Sequence, residues 1–248
     1  MMLCKWEKLP PEMQTEAVRP YYEALRKKNF ALFWKRAFDI VVSFLMLLVL
    51  SPVFLILAIA IKIDSRGPVF YRQERVTQYG KHFHIFKFRT MVQNADRGSL
   101  VTVGNDARVT RVGKLIRKCR LDELSQLIDV LRGTMTFVGT RPEVPKYVEQ
   151  YTPEMMATLL LPAGVTSIAS IYYKDEAELL DGAEDTDKVY VEDVLPAKMY
   201  YNLKEIMRFG FWRDIGTMFK TVFAVLGKKY EGDYVAPVKN KEVPAEMK

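Results

Sequence analysis

The chain has 248 residues, a formal net charge of +7, and a composition that is 49% hydrophobic and 27% charged. This allows one good-sized domain with extensions and excludes wholesale disorder; with Cys4 and Cys119 as the only cysteines, in no zinc or redox spacing, it also excludes a disulfide-stapled scaffold. The positive balance asks for an anionic partner, whether a phosphorylated substrate, an acidic membrane surface or nucleic acid, and charge alone does not choose among them.

Residues 1–29 are mixed in charge and broken by Pro10-Pro11 and Pro20, which predicts one or two short surface helices over residues 12–28 and no chemistry. At Phe30 the character changes. Phe30, Phe33, Trp34 and Phe38 interleave with Lys35 and Arg36, the mixture expected of a helix passing lipid headgroups. Residues 40–61 follow without a charge, long enough at about 1.5 Å per residue to cross a hydrocarbon core of roughly 30 Å. Two details complicate a simple span. Ser51-Pro52 sits mid-run, where the proline removes a hydrogen bond and kinks the helix, and Ser51 can satisfy the freed carbonyl. Basic residues also flank both ends, Arg26, Lys27, Lys28, Lys35 and Arg36 before and Lys62, Arg66, Arg72 and Arg75 after, whereas a positive-inside bias leaves one flank poor. A broken helix that dips in and returns removes the conflict. A kinked span stands beside it, and a buried core helix is the third reading.

Residues 68–75 and 81–89 read as two strands around a polar turn with Gly80. On the second, His82, His84, Phe86 and Phe88 share one face, and Phe83, Ile85, Lys87 and Arg89 the other. The His-x-His pair lacks a third ligand and reads as structural, while Lys87 and Arg89 can wall a phosphate pocket. Residues 94–104 read as a polar loop or short helix with Asp96 and Gly98 as turn residues. Asn105-Asp106 leads into a basic helix over 110–120 carrying Arg111, Lys114, Arg117 and Lys118.

Leu121, Leu124, Leu127, Ile128 and Leu131 recur at helical spacing, so one amphipathic helix is predicted with Asp122 and Glu123 in its first turn. Unsatisfied N–H groups and the dipole favour negative charge there, and Arg117, Lys118 and Arg120 crowd the approach. A carboxylate so placed is expected to stay ionised at neutral pH; helix capping is the bland alternative. Residues 135–138 form a short strand ended by Gly139-Thr140-Arg141-Pro142-Glu143, which leaves the Arg141 side chain free to grip a phosphate bidentately. Residues 147–161 read as helical, 161–167 as a turn, 168–171 as a strand, and 175–187 as an acidic solvated segment. Residues 190–201 and 203–227 complete the fold, the latter with large apolar groups opposite cations, as in a membrane-interface helix or a core helix. The tail from Tyr230 reads as disordered.

Taken in order, Lys35-Arg36-x-x-Asp39-Ile40, the run broken at Ser51-Pro52, Gly67-Pro68-Val69-Phe70-Tyr71-Arg72-Gln73-Glu74-Arg75-Val76, Phe86-Lys87-Phe88-Arg89-Thr90-Met91, Thr110-Arg111-Val112-Gly113, Leu121-Asp122-Glu123-Leu124 and Val138-Gly139-x-Arg141-Pro142-Glu143 resemble the bacterial sugar transferases, the monotopic phosphoglycosyl transferases, over residues 35–227. The resemblance implies an α+β, mostly helical fold: a re-entrant membrane helix plus a small cytoplasmic domain with a short hairpin and amphipathic interfacial helices. The corresponding division is an extension over 1–29, a membrane-inserted part over 30–66, a catalytic part over 67–229 and a tail over 230–248. It further implies transfer of a sugar-1-phosphate from a UDP-sugar to polyprenol phosphate at the cytoplasmic face of a bacterial inner membrane, beginning a surface glycan.

In that family the aspartate of the Asp-Glu pair is the nucleophile, with Mg²⁺ bound at the same place. By motif position Asp122 takes this role, Glu123 assists metal binding or proton handling, and Arg117, Arg141, Lys87, Arg89 and Glu143 contact phosphate or substrate. The chain departs from the family at Arg120, where Ser or Thr is common, at Ser125 and Thr140, where Pro is common, and at Ala163, which separates Pro162 from Gly164. Expected partners are the UDP-sugar, the polyprenol phosphate and membrane lipids, with homo-oligomer formation left open and no nucleic acid, because no basic-aromatic motif supports it. The competing reading is a non-catalytic membrane-anchored scaffold for glycan-assembly partners.

Overall fold

In a computed structural model, which describes residues 3–93, 95, 108–174 and 185–233, the apolar run is carried by two helices. After α1 (Arg19–Arg26), α2 (Asn29–Val49) and α3 (Ser51–Asp64) meet at Leu50 with a 61° change of direction. Pro52 lacks the N–H that would reach the Leu48 carbonyl, and the Ser51 hydroxyl donates to that carbonyl instead at 2.8 Å. No single described helix is long and apolar enough to cross a membrane.

The first arm is amphipathic in the reverse sense. Lys35, Asp39 and Ser43, spaced by one helical turn, face the protein with Lys35 3% and Asp39 1% exposed, while Phe44, Leu48 and Val49 face outward, Val49 at 74%. The inward polar stripe is fully used. Asp39 accepts from the Thr136 hydroxyl (2.7 Å) and the Phe137 N–H (3.3 Å), and Lys35 donates to the Val138 carbonyl (2.8 Å) and Asp214 (2.5 Å).

β1 (Phe70–Val76) and β2 (His82–Phe88) form an antiparallel hairpin in which Tyr71 faces Lys87 and Gln73 faces Ile85. Its turn puts Tyr79 and Gly80 at positive φ. α4 (Arg111–Lys118) is capped by Thr110, whose hydroxyl accepts from Gly113 N. A six-residue 3-10 run, Leu121–Gln126, leads into α5 (Leu127–Arg132), then β3 (Met135–Val138), α6 (Pro145–Val148) and β4 (Ala163–Thr166), which pairs parallel to β3. A Cβ on Gly164 would lie 2.1 Å from the Gly139 carbonyl oxygen, so this crossing needs glycine. The chain closes with α7 (Ile168–Tyr172), α8 (Thr186–Val189), a π-helical turn at Tyr190–Val194, α9 (Leu195–Met207) and α10 (Phe211–Val225).

Several expectations are corrected. The helix predicted from Leu121 onward is a 3-10 run followed by a short α-helix, because Arg120 sits at φ +55° and the chain enters the segment from a tight reversal. Residues 163–166, expected as part of a turn, are a strand. Residues 168–171, expected as a strand, are helical, since the Ser167 hydroxyl caps Ser170 N. The helix over 147–161 is interrupted near Thr152-Pro153, where the residue before proline avoids the helical region, and the one over 203–227 breaks at Gly210. The N-terminal segment carries the expected short surface helix as α1, with Arg19, Glu23 and Arg26 exposed, but it also supplies core: Leu9, Met13, Val18, Tyr22 and Leu25 are buried with Leu160, Ile206 and Phe209. Each such side chain contributes about 1.5–3 kcal/mol, which holds a strap of short turns with little propensity of its own. The readings of 94–104 apart from Ala95, of Asn105-Asp106, of 175–184 and of the tail beyond 233 lie outside the described residues.

Two further clusters seat the hairpin. Phe83 and Ile85 pack with Leu127, Val130, Met135 and Phe137, whereas Phe88 packs with Leu57, Ile61 and Ile116. Opposite faces of β2 are therefore buried at opposite ends, and Lys87 lies between them, beside the acid turn.

Candidate active site

β2 is bonded on both edges. β1 takes one, and the acid segment closes the other at Phe86: its N–H donates to Asp129 Oδ2 at 2.8 Å, and its carbonyl accepts from the Ser125 hydroxyl at 3.0 Å. Ser125 stands where the family resemblance leads one to expect proline. Its hydroxyl also reaches the Asp122 carbonyl at 3.2 Å, so hydrogen bonds supply the stiffness a ring would give. The next residue along β2 is Lys87, which is thereby held against Asp122 and Glu123.

A cavity of about 490 Å³ opens there, with Asp122, Lys87 and Arg117 among its walls. Arg117 is aimed by a 2.8 Å bond from Nε to the Thr90 hydroxyl. Among the described residues Lys87 makes no hydrogen bond, and no side chain donates to the Asp122 carboxylate. Burial pushes the Asp122 carboxyl upward; Lys87 opposes this, neighbouring Glu123 adds to it and Arg117 lowers it. The expected dipole effect is thus outweighed by desolvation. Burial lowers Lys87 as well, against the pull of Glu123 and Asp122. A carboxylate raised in this way is a better nucleophile once charged, and the adjacent cations favour that charge.

Glu123 behaves oppositely. Burial raises it, but the charge and hydrogen bonds of Arg141, with Lys87 and Arg120, bring it down to about 2. Arg141 meets it with both nitrogens, Nη2 to Oε1 at 2.7 Å and Nη1 to Oε2 at 3.0 Å, and Nη1 also donates to the Val165 carbonyl at 2.9 Å. The Arg141 side chain is therefore not free, as the turn chemistry suggested; it is committed to the acid beside Asp122.

Arg89 and Glu143 are likewise engaged. Arg89 borders the cavity, but its guanidinium donates to the carbonyls of Ser65 (2.8 Å) and Arg66 (2.6 Å), closing the end of α3. Glu143 lies in a buried cluster where Oε1 accepts from the Tyr190 hydroxyl (2.7 Å) and Lys198 (3.1 Å), and it is not part of the cavity wall. The structure thus brings Asp122, Glu123, Lys87, Arg117 and Arg141 together, with Arg89 at the rim and Glu143 behind. Sequence reasoning passed over Gln73, Arg75, Thr90, Ser125 and Asp129; only the motif blocks containing some of them hinted at a role.

Among the described residues no group of three or more His, Cys, Asp or Glu could hold a metal ion. His82 pairs instead with Glu74 at 2.8 Å. The donor chemistry at Asp122 and Glu123 fits a hard cation that keeps water and takes further oxygens from a substrate phosphate, because one or two carboxylates suffice for such a site.

A second cavity of about 520 Å³ lies on the Glu123 side. Glu123, Arg141, Arg120 and Lys174 border it at polar positions, and Met46, Leu127, Phe137, Met218, Val222 and Val225 supply apolar walls. Val222 and Val225, on α10, are themselves exposed, as are Trp212, Phe219 and Phe223 of the same helix.

Residues 30–228 match the family model described as bacterial sugar transferase. The chain is 36% identical over 198 residues to a UDP-N-acetylgalactosamine-undecaprenyl-phosphate N-acetylgalactosaminephosphotransferase of Aeromonas hydrophila, covering 78% of this chain and 44% of that one. It is 37% identical over 218 residues to a UDP-glucose:undecaprenyl-phosphate glucose-1-phosphate transferase of Escherichia coli, covering 86% and 44%. With a protein of the same description from Caulobacter vibrioides the identity is 33% over 203 residues, covering 77% and 69%. The chain spans less than half the length of the first two relatives and about two thirds of the third.

Proposed function

Because this chain belongs to the bacterial sugar transferase family, we propose that it transfers a sugar-1-phosphate from a UDP-sugar to a polyprenyl phosphate and releases UMP. The observation that carries the reading is the Asp122 carboxylate in the cavity wall, under the influence of Lys87 and Arg117 and hydrogen-bonded by no side chain among the described residues.

An Asp122 oxygen attacks the β-phosphorus of the donor. The bond from that phosphorus to the bridging oxygen breaks, UMP leaves with the electron pair, and the sugar phosphate remains on Asp122. A phosphate oxygen of the acceptor then attacks the same phosphorus, the bond to Asp122 breaks, and the carboxylate is regenerated with the sugar on a polyprenyl diphosphate. Lys87 and Arg117 hold the phosphoryl oxygens in both displacements. Arg141 holds Glu123, keeping a second negative charge neutralised beside the nucleophile. Asp122 and Glu123 would hold Mg²⁺, Glu123 through lone pairs that Arg141 leaves over, and the ion would offset repulsion between carboxylate and diphosphate.

The bent pair α2–α3 supports a re-entrant anchor. With the two arms equally inclined, the uncharged run 40–61, bent by 61° at its middle, would reach only about 8 Å deep at about 1.5 Å rise per residue, within one leaflet. Both ends then lie on the cytoplasmic side. The outward apolar face of α2 and the exposed hydrophobics of α10 suit lipid contact, and the apolar cavity beside Glu123 suits the isoprenoid chain of the acceptor.

The test is Asp122→Asn assayed for UMP release from UDP-sugars on membranes. Loss of at least about a thousandfold is expected of a missing nucleophile. Near-normal turnover would eliminate the covalent route, as would product formation without a phosphosugar adduct on Asp122 by mass spectrometry.

A further inference from the structure

Resting on that reading, we infer that Gln73, oriented by Arg75, recognises the sugar of the donor and sets which UDP-sugar is used. The hairpin register places Lys87 opposite Tyr71, and Gln73 and Arg75 follow on the same face of β1 toward the turn. Two residues along a strand are about 7 Å apart, so Gln73 lies roughly one hexose ring from the position beside Lys87 and Asp122 where phosphorus reacts. All of these residues border the one cavity.

The two ends of that cavity differ in chemistry. Away from the turn its walls include Pro68, Met91 and Val92, apolar surfaces suited to a flat base, with Arg89, Gln93 and Arg108 also bordering the cavity. Toward the turn stand Gln73 and Arg75, which offer hydrogen bonds and charge. A sugar attached to the reacting phosphate must lie next to Asp122 and needs dense polar contacts; the uridine lies on the far side of the diphosphate.

Arg75 fixes which contacts are offered. Its Nη2 donates to Gln73 Oε1 at 2.6 Å, and its Nη1 is held by the Pro142 carbonyl at 3.0 Å. One lone pair of the Gln73 carboxamide oxygen is therefore taken and the amide orientation set, so its NH₂, unpartnered among the described residues, is the donor offered to a hydroxyl or acetamido oxygen. Arg75 forms no ion pair among the described residues, so its guanidinium is fixed between two neutral acceptors, the Pro142 carbonyl and the Gln73 carboxamide, and holds the latter in place. Polar sites built for particular hydroxyls discriminate far more strongly than apolar ones.

The experiment uses the full chain in nanodiscs with polyprenyl phosphate, UDP-glucose, UDP-galactose and UDP-N-acetylgalactosamine, and UMP as inhibitor. Gln73→Ala and Gln73→Met, the second keeping side-chain length without the donor, should each raise KM for the preferred donor and shrink the preference ratio by about tenfold or more. The inhibition constant of UMP should stay within about twofold, because UMP lacks the sugar. An unchanged ratio, or UMP inhibition weakened in step with KM, overturns the assignment while leaving the reaction standing. Wild-type protein that releases UMP from none of the donors overturns the parent reading, and this assignment with it.

Discussion

Arg141 and Glu123 face each other through two parallel hydrogen bonds of 2.7 and 3.0 Å, and the same guanidinium reaches the Val165 carbonyl at the end of β4. One side chain thus ties the acid turn to the β3–β4 pair, and the residue beside Asp122 is kept ionised by a partner that comes from another element.

Arg141→Ala leaves Glu123 in a largely desolvated place without its cation. We expect a loss of about 2 kcal/mol, below the range for fully buried pairs because both side chains keep some solvent contact. The acid stability of the wild type follows from Glu123's low value: its contribution is fully present above about 4.5 and is lost as pH falls toward about 2. In Arg141→Ala this transition should move to higher pH, read from thermal melts in detergent between pH 2 and 7. Coincident curves would separate Arg141 from the ionisation of Glu123.

In the proposed mechanism Asp122 attacks as the carboxylate, so UMP release should rise with pH through a value above the ordinary aspartate range, since burial raises it. Lys87→Gln removes the strongest influence lowering it and should shift that limb further upward; Glu123→Gln removes a neighbouring negative charge and should shift it downward. Lys87→Gln should also cost about 10²–10³ in kcat, the usual effect of losing one preorganised donor to a developing charge. Initial-rate pH profiles decide, and limbs that do not move would place the titration elsewhere.

Asp39→Ala strands the Phe137 N–H and the Thr136 hydroxyl inside the protein. Each buried group without a partner costs about 1–3 kcal/mol. The variant should melt several degrees lower and lose activity with it, although Asp39 itself borders neither cavity. A melting temperature equal to wild type would show that these groups find other partners.

Replacing Pro52 with leucine restores the N–H to the Leu48 carbonyl and lets α2 and α3 join as one helix. With Cys4 and Cys119 changed to serine, single cysteines at positions 28 and 66 should label from the cytoplasmic side alone in the proline protein. Opposite sides should label in the Pro52→Leu variant.

Met218→Trp fills the apolar cavity beside Glu123. KM for polyprenyl phosphate should rise about tenfold or more, while the single-turnover burst of UMP keeps its rate. A slowed burst would put the cavity on the donor side of the reaction.

Much of the fold could be read ahead because the relevant signals are local. Alternation and Gly80 gave the hairpin, the basic run over 110–120 gave α4, and Ser51-Pro52 the break between α2 and α3. Asp122 was reached through the order of motif blocks, which bring distant segments together on one page. What stayed hidden depended on partners far along the chain. Nothing near Arg89 or Glu143 says that one will meet the Ser65 carbonyl and the other Lys198. Leu9, Met13 and Val18 fall in short irregular turns without a helical or strand period, so their burial left no pattern to detect.

The inward polar stripe of α2 bears on how the protein is made. Asp39 waits for a hydroxyl 97 positions later, and Lys35 for a carboxylate 179 positions later. When α2 leaves the ribosome, Lys35 and Asp39, four residues apart, have only each other to meet, so the final seating of this stripe against the protein must follow synthesis of almost the whole polypeptide. Chains cut short before position 214 should hold α2 only loosely and be open to proteolysis.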